Sequence, residues 1–139
     1  MPPIYTAEEY RKLDLGDART ELVRGVIEVR DKPKPAHAYT AAEISYAIRR
    51  YLETNPIGVV LAETDYPTER GPDTVRSPDV SFLSTERLRP EWQNEYFQGV
   101  PDLAVEVLSP SNTTKEIERK IMEYLANGAR MVWVADPAK

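Results

Sequence analysis

The sequence predicts a single α/β domain, a central mixed sheet flanked by helices, and three observations support this. Short apolar runs at 80–83 and 103–108, rich in Val, Leu and Phe, have the length and composition of buried strands, and 131–134 reads as a final apolar strand. The last two are separated by an amphipathic segment at 115–126, the spacing of a parallel strand–helix–strand crossover. A long helical periodicity at 36–53 precedes them, which supplies a helix for each face of a sheet. With 139 residues, one compact domain spanning 1–139 is expected.

The elements follow in order. Thr6-Ala7-Glu8-Glu9 matches a capping box and opens a short helix reaching about Leu13, which Leu15-Gly16-Asp17 ends. Glu21-Leu22-Val23 and Val26-Ile27-Glu28-Val29 flank Arg24-Gly25, a hairpin pattern. Lys32-Pro33-Lys34-Pro35 is a stiff break. Tyr39, Ile44, Ile48, Tyr51 and Leu52 give the long helix its apolar spacing, and Asn55-Pro56-Ile57-Gly58 stops it. Residues 59–66 predict one strand, Arg70-Gly71-Pro72-Asp73 a turn, and 85–98 a loop with a helical turn. Thr113 and Glu116 form a second capping box, and that helix should stop at Asn127-Gly128.

Composition narrows the function classes. The apolar fraction of 41% supplies a core and argues against disorder. No cysteine is present, so disulfides and thiolate metal sites are excluded, as suits a reducing cytosol. There is no apolar signal core and no run of membrane-spanning length, so a soluble cytoplasmic protein is expected. A net charge of −5 argues against a non-specific nucleic-acid coat but is compatible with a nuclease. Arg24, Arg30, Lys32, Lys34, Arg49, Arg50, Arg70 and Arg76 could rim such a site. For any one of them a solvated surface is the simpler reading.

The informative residues are acids inside apolar strands. Buried strands rarely carry carboxylates unless these are paired or bind a metal. Asp79 opens one strand in Ser77-Pro78-Asp79-Val80. Glu106 sits mid-strand in Leu103-Ala104-Val105-Glu106-Val107. Asp102 is four residues away, roughly 13 Å along a strand, too far to share one metal with Glu106. It is expected to cap the strand entry. Asp79 is then the natural partner of Glu106. On the following helix Ile117, Ile121, Tyr124 and Leu125 form the apolar stripe, and Lys120 lies about 85° from its centre. From that border Lys120 could reach Glu106 or run along apolar surface. Lys115 and Arg119 lie farther round and face solvent. His37, the single histidine, is expected as a surface or capping residue. With one His and no Cys, a zinc site of the usual composition is not expected, and no G-x-S-x-G, P-loop or G-x-G-x-x-G pattern occurs.

Taken together, these residues resemble the PD-(D/E)xK, or restriction-endonuclease-like, superfamily. Within it they are most similar to a widespread bacterial family of small endonuclease-like proteins. The likeness covers nearly the whole chain. It is carried by Glu21-Leu22-Val23-Arg24-Gly25, the helix starting near His37, Ser77-Pro78-Asp79-Val80, the run from Pro101 through Glu106 to Ser111, Lys120 with Tyr124, and Gly128 leading into Val132-Trp133-Val134-Ala135-Asp136-Pro137. The superfamily lysine usually stands two residues after the second acid, where this chain has Leu108. The family draws it from the next helix, which matches Lys120.

The resemblance implies that Asp79 and Glu106, with the carbonyl of Val107, hold Mg²⁺, for which Mn²⁺ substitutes. It implies that Glu21 is a supporting acid and that Lys120 serves the attacking water and the phosphorane. The implied activity is metal-dependent hydrolysis of DNA phosphodiesters, an endonuclease. It further implies strands beyond Pro137, so an exposed sheet edge and a homodimer are expected. The alternative is the same fold without turnover, a module for protein or nucleic-acid association.

Overall fold

A computed structural model describes residues 3–139. Thr6 caps α1 (Ala7–Arg11) through the expected box: its hydroxyl accepts from the Glu9 amide and the Glu9 carboxylate accepts from the Thr6 amide. Strands β1 (Arg19–Val23) and β2 (Val26–Arg30) pair antiparallel around Arg24-Gly25. Both turn residues have positive φ, 48° and 81°, the requirement of a two-residue hairpin turn. A Cβ at residue 25 would also strike Ile4. Helix α2 (Pro35–Thr54) follows, with proline in its first turn. Then come β3 (Gly58–Ala62), β4 (Tyr66–Glu69), β5 (Thr74–Arg76), β6 (Val80–Ser84) and β7 (Leu103–Val107). Helix α3 (Thr114–Ala126) leads to β8 (Met131–Ala135). Two short 3₁₀ turns at 85–87 and 92–94 interrupt the 85–98 loop.

The mixed α/β class holds, but the single expected sheet is two. One sheet has the order β2-β1-β5-β4 and the other β3-β6-β7-β8. In the second, β7 and β8 are parallel, joined through α3 as the crossover spacing implied, and the remaining pairs are antiparallel. The expected 59–66 strand divides because the backbone turns at Glu63, whose φ is 47°. Beyond it the chain enters the first sheet as β4. Strand β5, three residues long, has too little pattern to be recognised from sequence.

Strand alternation decides which way the acids point. Val80, Leu103, Val105 and Val107 pack against Ala41, Ile44 and Ile48 of α2. Ala104 lies on the other face with Tyr124 of α3, Val100 and Ala129. Period two therefore turns Glu106 towards α3. All five β7 residues are buried, because helices cover both faces. Leu103, Val105 and Val107 each contribute roughly 1.5–3 kcal/mol on burial. Gly58 in β3 is set by close packing, since a Cβ there would meet the Leu83 carbonyl and the Phe82 ring. Among the described residues no helix is long and apolar enough to cross a membrane.

Candidate active site

Glu106 is the centre of the arrangement, 1% exposed. Lys120, one turn before Tyr124 on α3, is 4% exposed and places Nζ 3.4 Å from Glu106 Oε1 and 3.2 Å from Glu21 Oε1. Of the two readings of Lys120, reach prevails over surface packing. The Tyr124 hydroxyl donates to Glu106 Oε2 at 3.1 Å. Glu21 comes from β1 in the other sheet and accepts from Arg30 at 2.9 Å, Arg76 at 3.1 Å and the Ser77 amide at 2.9 Å. The site thus forms where the two sheets meet.

Asp79, just before β6, joins it through the backbone of β7. The Val107 amide donates to Asp79 Oδ2 at 2.7 Å. Oδ1 lies 3.3 Å from both Arg19 and His37 Nε2. His37 is buried there, not on the surface as the sequence suggested, because α2 packs on the strand face beside Asp79. Arg76, for which a solvated surface was the simpler reading and a basic rim the other, is likewise buried and bonds Glu123 at 2.9 Å as well as Glu21. Arg119, expected in solvent, is two-thirds buried and bonds Glu123 at 3.0 Å. Asp102 stands apart from the site, as strand spacing required. Its Oδ2 accepts from the Ser84 amide at 2.7 Å and its carbonyl from the Arg130 and Met131 amides.

The electrostatics separate the two glutamates. Burial pushes the Glu106 carboxyl up to about 7, with Lys120 opposing and Glu21 and Asp79 adding to the rise. Burial also pushes Glu21 up, but the charges of Lys120, Arg30 and Arg76 together outweigh it and hold it below the usual range. Burial and the neighbouring Glu106 raise the Tyr124 phenol well above its ordinary value, so it stays a hydrogen-bond donor.

A cleft of about 330 Å³ opens beside this cluster, lined by Arg19, Glu21, Arg30, His37, Ser109 and Lys120 among others. Among the described residues no group of three or more Asp, Glu or His converges as a ready cation cage. Mg²⁺ does not need one, because it is usually held by one or two carboxylates plus substrate phosphates. Asp79, Glu106 and the Val107 carbonyl are all hard oxygen donors, and Glu106 is a carboxylate that burial makes costly to ionise without a cation. The donor set therefore fits Mg²⁺ or Mn²⁺.

The Uma2 family, described as "Putative restriction endonuclease", matches residues 7–139. The chain belongs to this family. A crystal structure described as "a putative nuclease belonging to DUF820 from Anabaena variabilis ATCC 29413" is similar to the Uma2 chain with a TM-score of 0.83 and 25% identity. The likeness covers 96% of this chain and 75% of that chain. No curated protein matches. The Uma2 match and the structural likeness agree with the restriction-endonuclease-like reading and support a nuclease function.

Sequence reasoning brought Glu21, Asp79, Glu106 and Lys120 forward, and the Uma2 fold brings them to one place. It missed Arg19, and it offered Arg30 and Arg76 only as possible rim charges, not as the groups that hold the acids. The signal for Arg19 and Arg30 was that β1 and β2 carry charges at 19, 21 and 30.

Proposed function

We propose that this chain hydrolyses DNA phosphodiester bonds as a Mg²⁺-dependent endonuclease, with Mn²⁺ as a substitute. The observation that carries the reading is the buried Lys120 ammonium lying between Glu106 and Glu21 at the floor of an open cleft. A buried lysine held by two acids has a fixed position, as a group serving an attacking water must have.

Asp79, Glu106 and the carbonyl of Val107 would hold the metal. When bound, it lowers the pKa of a coordinated water and neutralises charge on the phosphoryl oxygens. The residues do the rest. Lys120 orients the water and donates to the oxygen that gains charge. Glu21 fixes Lys120, itself anchored by Arg30, Arg76 and the Ser77 amide. Tyr124 fixes the far oxygen of Glu106. Arg19, partly exposed in the cleft, supplies positive charge for the phosphate. The reading includes a cytoplasmic homodimer, since two such sites would cut both strands of a duplex.

The test is nicking of supercoiled plasmid with Mg²⁺ or Mn²⁺ by the parent, Glu106→Ala and Lys120→Ala prepared in parallel. Metal-dependent nicking that falls at least roughly 100-fold in both variants is expected. Equal activity in parent and variants would refute the assignment. No activity in any of them would favour a non-catalytic association module.

A further inference from the structure

A second cavity of about 520 Å³ adjoins the cleft, and Asp31, Lys32, His37, Ser109 and Ser111 line both. Its walls are more apolar, built from Leu108, Pro110 and Pro137. The N-terminus of α2 opens into it through Lys34, Ala36 and His37. This helix is 20 residues long, has no side-chain cap and carries no acid in its first turn. Its first amides lack intrahelical partners and its dipole presents positive charge. His37, in that turn, is 7% exposed, lines both cavities, and its Nδ1 has no hydrogen-bond partner among the described residues. Lys32 and Lys34 add two exposed ammonium groups at the mouth. Of the acids on the same wall, Asp136 is bonded to the Ala138 amide and lies 4.0 Å from Lys139, while Asp31 gives its backbone carbonyl to Arg19 and its exposed carboxylate is the one acid that Lys32 and Lys34 must outweigh.

Resting on the nuclease reading, we propose that the start of α2, with Lys32 and Lys34, binds a second phosphate of the nucleic-acid strand. That phosphate flanks the one held over Glu106 and Lys120. The amides at the helix start and the two lysines are anion ligands. The apolar walls take the nucleoside between the two phosphates. The strand's path is thereby fixed: it runs from the acidic cleft over His37 towards Pro110 and Pro137.

The test is binding of a short labelled DNA duplex in EDTA across a salt series, with melting measured alongside. Two variants report on the site. Lys32→Ala should weaken binding several-fold and reduce the salt slope by about 1. Ala36→Asp places a carboxylate at the exposed helix start, where it favours the helix dipole but repels phosphate. It should weaken binding about tenfold at an unchanged or higher melting temperature. Lys12→Ala, remote from both cavities, should change neither. Parent-like affinity and slope in both test variants would overturn the proposal. Binding of inorganic phosphate without binding of the duplex would assign the site to free phosphate and overturn the strand path. Loss of DNA binding in Ala36→Asp, in a parent that shows no metal-dependent cleavage, would leave this site standing while the hydrolase reading fails.

Discussion

At the scale of the residue, Glu106 sets the behaviour of the site through a single proton. Its carboxyl is pushed from the ordinary 4.5 to about 7, chiefly by burial. A carboxyl with a raised native pKa keeps its proton longer in the folded chain than in the unfolded one. As pH rises through that window the unfolded chain releases the proton first, so this group's contribution to stability falls. The size is on the order of 3 kcal/mol, at about 1.4 kcal/mol per pH unit. Glu21, held below its usual value, has the opposite sign and loses its contribution as pH falls. In EDTA, the stability of the parent minus that of Glu106→Gln should therefore decline by roughly 3 kcal/mol from below pH 4.5 to above pH 7. Denaturant melts at both pH values measure it, and a constant difference would show that Glu106 is not the proton-holding group. Asp79, Glu106 and Lys120 were legible in the sequence because a charge in an apolar run is conspicuous and helical angle limits its reach. The burial of His37 and Arg76 was not, because a histidine between two alanines at a helix start, or an arginine between Val75 and Ser77, carries no local mark of burial. The packing of α2 on β7 buries His37, and Glu123 of α3 together with Glu21 encloses Arg76.

At the scale of the element, α3 links the fold to the chemistry, since it carries Lys120 and Tyr124 and its first turn borders the cleft at Glu116. The capping box at Thr113 and Glu116 was readable from sequence and is formed, with the Thr113 hydroxyl accepting from the Glu116 amide at 3.1 Å. Thr113→Ala should cost about 1 kcal/mol. Because the loss is confined to the first turn and Lys120 lies two turns in, nicking activity should change much less than stability. Urea unfolding compared with plasmid nicking separates the two. A proportionate loss of both would mean that the helix start itself holds Lys120. The capping boxes, α2, α3 and the parallel crossover were all visible because each has a local signature. The division at Glu63 and strand β5 were not. Nothing local marks a non-glycine residue that must take φ 47°, and β5 exists as a strand only because β1 and β4 flank it.

At the scale of the whole molecule, β8 is the outer strand of its sheet, with Met131, Trp133 and Val134 exposed at 52, 43 and 40%. The sequence reads 131–134 as an apolar strand and leaves its burial open, since an apolar run does not say how many neighbours it has. Among the described residues only β7 pairs with it, so one row of its amides and carbonyls faces outwards beside apolar side chains. Such an edge is a template for another strand, and it has neither the lysines nor the prolines that usually protect one. The homodimer of the proposed function can form there through β8 on β8, a self-complementary contact of the kind twofold symmetry requires. Sedimentation equilibrium of the parent should then give a concentration-dependent dimer. Trp133→Lys should give a monomer at every concentration, with its melting temperature at low protein concentration close to that of the parent, because the side chain is already half exposed. A monomeric parent would exclude the edge as an interface. A dimer that survives Trp133→Lys would move the interface elsewhere, and cutting of both strands would then need the two clefts to be related by another face of the molecule.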